Sequence, residues 1–233
     1  MGLDYYIAKE LKKLSIDWST VLQIGRQNWW CTPRETRKLK LAWQHNYSRK
    51  LYAEPFFTEL GADAVFSVDL VSDENPTYVA DLSISWDSGR KFSVVIDGGT
   101  GEHIAEQYTY LKNLHDSLYP DGHLISIVPA NQCLGHGLYQ FSPEYFYRLK
   151  GFSPVIVKII TYGFRVTTRN FLEASRWQQR TVGQSYVFAV LRKTGTFALP
   201  KQLAVTSSHK KPIPFAQLLL SIPGMRILQR ILS

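Results

Sequence analysis

FSVVIDGGTGEHI, residues 92–104, decides how this chain folds. Its first half is a short apolar run bounded by a carboxylate and glycines, which reads as a strand buried on both faces. Gly98-Gly99-Thr100-Gly101 then turns the chain at the carboxyl end of that strand. Beyond it, Ile104, Tyr108, Leu111, Leu114 and Leu118 recur at helical spacing. The same grammar repeats on both sides. Upstream, residues 21–24 form a compact apolar run stopped by Gly25, residues 64–69 (AVFSVD) end on a carboxylate, and residues 78–82 end in ADL. Downstream, Asp121-Gly122 turns the chain into another strand at residues 123–128. Strands separated by helices imply βαβ units, a mostly parallel sheet and helices on both of its faces. Residues 155–161 and 185–191 read as a closing, antiparallel pair.

Local signals place the remaining helices. Residues 5–14 read as a short helix. Thr32-Pro33-Arg34-Glu35 carries a capping box with proline in the first turn. Leu39, Trp43, Tyr47 and Leu51 follow at four-residue intervals, so the helix is expected to run through them with one apolar face. Another helix starts at Glu54-Pro55 and ends at Gly61, a left-handed cap. The expected organisation is one α/β domain over residues 1–198, then a linker and a basic, apolar tail over residues 199–233.

Composition narrows the class. The chain has 233 residues, 45% of them hydrophobic, which is enough for a sizeable core and excludes a wholly disordered chain. Its two cysteines, Cys31 and Cys133, form no CxxC, which argues against a disulfide framework or cysteine zinc site and for a reducing, cytoplasmic compartment. No secretory signal and no bilayer-spanning apolar run is visible. The net charge of +8 sits at one end, because residues 174–233 carry nine Lys/Arg and no Asp/Glu. Such an end suits an anionic partner, whether a membrane surface, a polyphosphate or nucleic acid, unless it is simply a solvated basic face. In the tail, Phe215, Leu218, Leu219, Leu220, Ile222, Ile227, Leu228, Ile231 and Leu232 lie among Lys210, Lys211, Arg226 and Arg230. That pattern fits a segment resting on the inner face of a membrane, or a terminal helix docked on protein.

Ligands of open parallel sheets bind beyond the carboxyl ends of the strands. The candidate binding residues are therefore Gly25, Arg26 and Gln27 after the first strand, Asp69 after the second, Asp81 and Leu82 after the third, and Asp97, Gly98 and Thr100 after the fourth. A glycine there lets backbone approach a ligand, and a carboxylate can accept both hydroxyls of a ribose. These features suit a nucleoside-containing cofactor. Asp97, before Gly98-Gly99, can equally organise a turn. His103 and His136 lie in polar loops after strands and are candidate bases; each can instead make only a structural hydrogen bond. Glu102 can orient His103 or stabilise a helix start. Tyr139, Phe141, Tyr145, Phe146 and Tyr147 form an aromatic cluster that reads as packing, with stacking on a sugar or base as the alternative. None of the six histidines has metal-ligand spacing, so no metal is expected.

With those residues in view, LGADAVFSVD, VADLS, FSVVIDGGTGEHI and LYPDGHLISIVPAN resemble strands two to five of a class I S-adenosylmethionine-dependent methyltransferase. GHGLYQFSPEYFYRLKGF, residues 135–152, together with IDGGTGEH, resembles a bacterial branch of methyltransferase-like proteins linked to surface-polysaccharide biosynthesis. The resemblance spans residues 21–152. It implies a Rossmann-like sandwich on a seven-stranded sheet, S-adenosylmethionine as cofactor and a glycan or other small molecule as acceptor. By position it makes Asp69 the ribose-binding acid, places Asp81 and Leu82 beside adenine, and turns residues 97–103 toward the methyl-transfer cleft. In one respect the chain departs from the family. The first motif, Leu22-Gln23-Ile24-Gly25-Arg26-Gln27, has one glycine and no carboxylate, and Arg26 or Gln27 stands where backbone would meet the methionine moiety. Arg26 can hold that moiety's carboxylate. The departure keeps a second reading open, a non-catalytic Rossmann-like partner subunit. A third, a nucleic-acid-directed methyltransferase or binder, has only the basic C-terminus behind it, without a base-reading motif.

Overall fold

The computed structural model describes residues 2–43, 51–170 and 183–200. The expectations for the linker and tail beyond Pro200 fall outside these residues. Within them the elements run β1 (Gly2–Leu3), α1 (Tyr5–Leu11), β2 (Thr20–Ile24), β3 (Asn28–Trp29), α2 (Pro33–Lys38) and α3 (Glu54–Glu59). They continue with β4 (Ala64–Asp69), β5 (Tyr78–Val79), β6 (Phe92–Asp97), α4 (Gln107–Ser117), β7 (Leu118–Asn131), α5 (Pro143–Arg148), β8 (Lys150–Tyr162), β9 (Thr167–Asn170) and β10 (Gln184–Ala198).

The main sheet has eight strands in the order β5-β4-β2-β6-β7-β10-β8-β9. Its first five strands pair in parallel, and β10 enters antiparallel between β7 and β8. This is the mostly parallel, Rossmann-like sandwich that the sequence implies, with one strand more than expected. The extra strand, β9, reads TTRN, is exposed throughout and pairs antiparallel with β8 at the sheet edge. It has no apolar alternation by which a sequence reading could find it. The order reverses between β2 and β6, so a switch-point crevice opens at their carboxyl ends.

All six residues of β6 are buried, because helices cover both faces of the sheet. Ile7 and Leu11 of α1, Phe56 and Phe57 of α3, and the sheet residues Val94, Ile96, Phe188 and Val190 form one apolar layer. Tyr110, Leu111 and Leu114 of α4, Phe146 of α5, and Val95, Val187, Ala189 and Leu191 form the other. Alternate residues of β10 thus enter opposite layers, as the period of a strand requires.

Three local expectations change. The capping box is present, with Thr32 Oγ1 accepting from Glu35 N and Glu35 Oε2 accepting from Thr32 N. However, α2 ends at Lys38, with Leu39 as its cap and Lys40 at φ 55°. Trp43 then packs by its ring on Trp29, 5.3 Å away, from a non-helical segment, so its spacing imitated a helical face. In α4 the buried aromatic is Tyr110, and Tyr108 faces outward. Finally, Asp121-Gly122 makes an irregularity within β7 instead of preceding it, since Phe92 pairs with Leu118 and Val94 already pairs with His123.

Candidate functional site

At the switch point a cavity of about 390 Å³ opens between the ends of β2, β4 and β6. Gly25, Arg26, Gln27, Asp69, Asp81 and Leu82 line it. Thr100, His103 and His136 close its other side. Three sequence candidates lie elsewhere: Gly98 lines a neighbouring cavity, and neither Asp97 nor Glu102 reaches either lining.

Gly25 ends β2 at φ +71°, and its amide donates to the Val68 carbonyl across the parallel pair. A Cβ there would lie 2.9 Å from Thr100 Oγ1 and 3.8 Å from Asp69 Oδ2. Backbone, hydroxyl and carboxylate therefore converge on one spot, and only glycine leaves it open. Thr100 is held by its hydroxyl, which donates to the Ile24 carbonyl at 3.0 Å. Asp69 caps its own strand end, with Oδ1 accepting from Leu70 N. Asp81 accepts from Ser83 N at 2.8 Å, and these Ser83 contacts hold its carboxyl below the ordinary range.

The two unusual residues of the first turn have clear local work. Gln27 is buried, and its amide donates to the carbonyls of Ile24 and Gly25, both at 2.9 Å. Its Oε1 would lie 2.2 Å from a Cβ on Gly98, so this side chain fills the space between the two turns. Arg26 is braced across the mouth. Its Nε donates to Glu54 Oε1 at 2.7 Å, its Nη1 donates to the Glu74 carbonyl at 2.8 Å, and the guanidinium lies 3.9 Å above the Tyr52 ring. Tyr52 and Glu74 carried no sequence signal, and Glu54 was legible only as part of a helix start.

Asp97 is a turn organiser. Its Oδ1 accepts from the amides of Gly99 at 3.0 Å, Thr100 at 2.8 Å and Gly101 at 3.3 Å. Burial pushes its carboxyl up, against those three donors. The turn delivers Glu102 and His103 in a 3-10 turn, Gly101–His103.

His136 arrives from the loop after β7. It stands between Gly135 at φ +79° and Gly137 at φ +77°. The loop is fastened directly to Glu102, whose carbonyl accepts from Leu138 N at 2.6 Å and Tyr139 N at 3.2 Å. A Cβ on Gly137 would lie 2.7 Å from Glu102 Cγ, so glycine permits this approach. The result is a cluster. Glu102 Oε1 lies 3.3 Å from His136 Nε2 and 3.9 Å from His103 Nε2, and the two imidazoles meet edge to face at 5.2 Å. Glu102 is fully buried, and neither of its carboxylate oxygens has a hydrogen-bond partner. Burial first, and Asp97 second, push its carboxyl up to about 8. Burial and the neighbouring His136 hold the His103 imidazole below its ordinary value. Metal-motif spacing could not foretell this grouping, because one member comes from a distant loop.

A second cavity of about 240 Å³ adjoins the first and shares His136 with it. Trp30, Ile127, Tyr162 and Tyr186 give it apolar walls, and Asp4 and Gln184 add polar groups. It was not anticipated. Its only sequence hint is the Trp29-Trp30 doublet, of which Trp29 is buried and Trp30 is 58% exposed. The aromatic cluster of residues 139–147 packs internally, Phe141 meeting Tyr145 at 5.5 Å and Phe146 at 6.2 Å.

Neither a family model nor a curated protein matches this sequence. Solved structures to which it is similar include the N-methyltransferase NodS from Bradyrhizobium japonicum WM9, at 13% identity and TM-score 0.44, over 82% of this chain and 94% of that one. Another is the 1,6-didemethyltoxoflavin-N1-methyltransferase of Burkholderia thailandensis, solved with its 1,6-didemethyltoxoflavin and S-adenosylhomocysteine, at 20% identity and TM-score 0.45, over 82% and 76%. The MccD protein is similar at 13% identity and TM-score 0.48, over 81% and 96%.

Proposed function

We propose that this protein is an S-adenosylmethionine-dependent methyltransferase acting on a small acceptor, a glycan being the class its sequence resemblance favours. The observation that carries the reading is the convergence at the switch point. The Gly25 backbone, the Thr100 hydroxyl and the Asp69 carboxylate surround one position that a single Cβ would fill. In this reading Asp69 accepts the ribose hydroxyls, Asp81 and Leu82 flank the adenine, and Gly25 and Thr100 face the methionine end. The guanidinium of Arg26, braced by its pairing with Glu54, stands at the cavity where the methionine carboxylate would lie. A cavity of about 390 Å³ is in the range that small ligands occupy.

S-adenosylmethionine brings an already activated methyl group, so holding the acceptor in line supplies much of the rate. The second cavity suits that task, because His136 stands on the boundary between the two. Its aromatic walls can lie against the apolar face of a sugar ring. His103 and His136 supply the basic nitrogens that an oxygen acceptor needs.

The test is substitution of Asp69. Asp69→Ala should leave the unfolding temperature of the free protein near that of the wild type. It should weaken binding of S-adenosylhomocysteine about tenfold to a hundredfold, the range for a lost hydrogen bond to a charged group. Unchanged affinity would remove Asp69 from the site. A second reading, a non-catalytic partner subunit, draws on one observation: the buried Gln27 side chain occupies the space beneath Gly98. Gln27→Gly separates the two, since a cofactor-binding protein should lose affinity with the bracing of its turn and a degenerate one has none to lose.

A further inference from the structure

Glu102, His103 and His136 hold their ligand atoms within 4.8 Å of one another. We propose that these three residues bind one first-row divalent transition-metal cation, with zinc as the reference ion. Geometry, burial and donor chemistry each support it. Two ligands on one zinc ion, at bonds of about 2.0–2.1 Å and a tetrahedral angle, stand about 3.3 Å apart. The pair Glu102 Oε1 and His136 Nε2 is already at 3.3 Å. His103 Nε2 lies 3.9 Å from the same oxygen on a half-exposed side chain, and all three ligand atoms lie within 4.8 Å of one another, so the ion would draw the His103 imidazole inward.

The second observation is the carboxylate itself. Glu102 is 0% exposed and has no hydrogen-bond partner on either oxygen. A buried polar group left unsatisfied is costly, and a charged one more so. The chain nevertheless builds the arrangement with care. Two amides of the loop grip the Glu102 carbonyl, and Gly137 is small enough to let the loop close on Glu102 Cγ. That anchoring carries the His136 imidazole to the carboxylate. A cation between the two imidazoles and the carboxylate satisfies the group and explains the placement.

Two imidazole nitrogens and one carboxylate oxygen suit zinc, manganese, iron(II) or cobalt(II), and poorly suit calcium or magnesium, which prefer oxygen ligands. Three protein ligands leave at least one coordination position open, the pattern of catalytic centres rather than structural ones. Both histidines line the main cavity, so that position opens toward it. If the methyl-transfer reading also holds, the ion would bind the acceptor's oxygen and lower its pKa, and the imidazoles would act as ligands instead of as bases. This last consequence rests on that reading; metal binding does not.

The experiment is calorimetric titration of the full chain, first stripped with a chelator, with zinc, manganese and magnesium chlorides in the absence of S-adenosylmethionine. One zinc per chain is expected, manganese binding more weakly and magnesium weakest. His136→Gln, His103→Gln and Glu102→Gln should each weaken zinc binding at least tenfold. His123→Gln, which changes a histidine outside the cluster, should not. Cobalt(II) substitution adds a folding-independent readout, because its visible absorption bands should change in His136→Gln. Absence of stoichiometric binding, or binding unchanged by the cluster substitutions, overturns the proposal. Titration of the stripped protein with S-adenosylhomocysteine tests the cofactor site separately, so either result can fail alone.

Discussion

Gly25 and Gly137 are the residues on which both halves of the site depend. Each has positive φ, and at each a Cβ would press on a named functional atom, Thr100 Oγ1 at 2.9 Å or Glu102 Cγ at 2.7 Å. Gly25→Ala should lower stability by about 1–3 kcal/mol, the cost of a strained backbone, measured as a shift in urea midpoint. It should also weaken S-adenosylhomocysteine binding. Gly137→Ala should cost a similar amount while leaving S-adenosylhomocysteine binding within twofold, because the loop it disturbs lies on the histidine side. Equal losses of binding in both would contradict this division. The first glycine was legible in sequence because it ends an apolar run. The second was not, since its contact with Glu102 joins distant parts of the chain. Arg26 and Gln27 looked like defects in a glycine motif. The structure gives each a partner, yet those partners are backbone carbonyls and residues of other loops that no local pattern reports.

Among the elements, α1 shows how a helix is pinned to the sheet by charge. Asp4 caps it, its Oδ1 accepting from the amides of Tyr6 and Ile7 at 2.9 Å each. Glu10 is buried on its inner face and takes Lys158 Nζ of β8 at 2.6 Å, with Lys13 as a second partner. Burial alone would raise the Glu10 carboxyl, but the two lysines outweigh it and hold it below its ordinary value. A carboxyl with a depressed folded-state pKa adds stability above its unfolded pKa and loses it as pH falls through the folded one. Glu10→Gln should therefore destabilise the protein at pH 7, by about 1–3 kcal/mol for a charged hydrogen bond. The difference should shrink as the pH is lowered below the ordinary glutamate range. Urea midpoints of both proteins from pH 7 to pH 3 check this, and a gap that stays constant would exclude the linkage. β6 was readable because a strand covered on both faces is a nearly continuous apolar run, and β4 because its short apolar run ends on a carboxylate. The two-residue β1 and β3, paired in parallel, escape any pattern reading. The stretch after α2 misled for the opposite reason, since Trp43 packs from a non-helical segment at a helical interval from Leu39; Tyr47 lies outside the described residues.

At the scale of the molecule, the alternation of strand and helix was enough to foresee a mostly parallel sheet covered on both faces, and a ligand crevice at its switch point. The antiparallel pairing of β8 with β10 was foreseen as a closing pair, whereas strand order, the insertion of β10 between β7 and β8 and the second cavity depend on long-range pairing and could not be. No helix among the described residues is long and apolar enough to cross a membrane. If the basic tail rests on a membrane, removing residues 213–233 should abolish sedimentation with vesicles rich in anionic lipid. Retained sedimentation would move that affinity elsewhere. The central claim is that the switch-point cavity binds S-adenosylmethionine, and calorimetric titration of the full chain with S-adenosylmethionine and S-adenosylhomocysteine tests it most directly. Saturable binding of both, one molecule per chain, is the predicted result. No binding at millimolar ligand, by a protein that still unfolds cooperatively, would contradict it and favour the non-catalytic partner subunit.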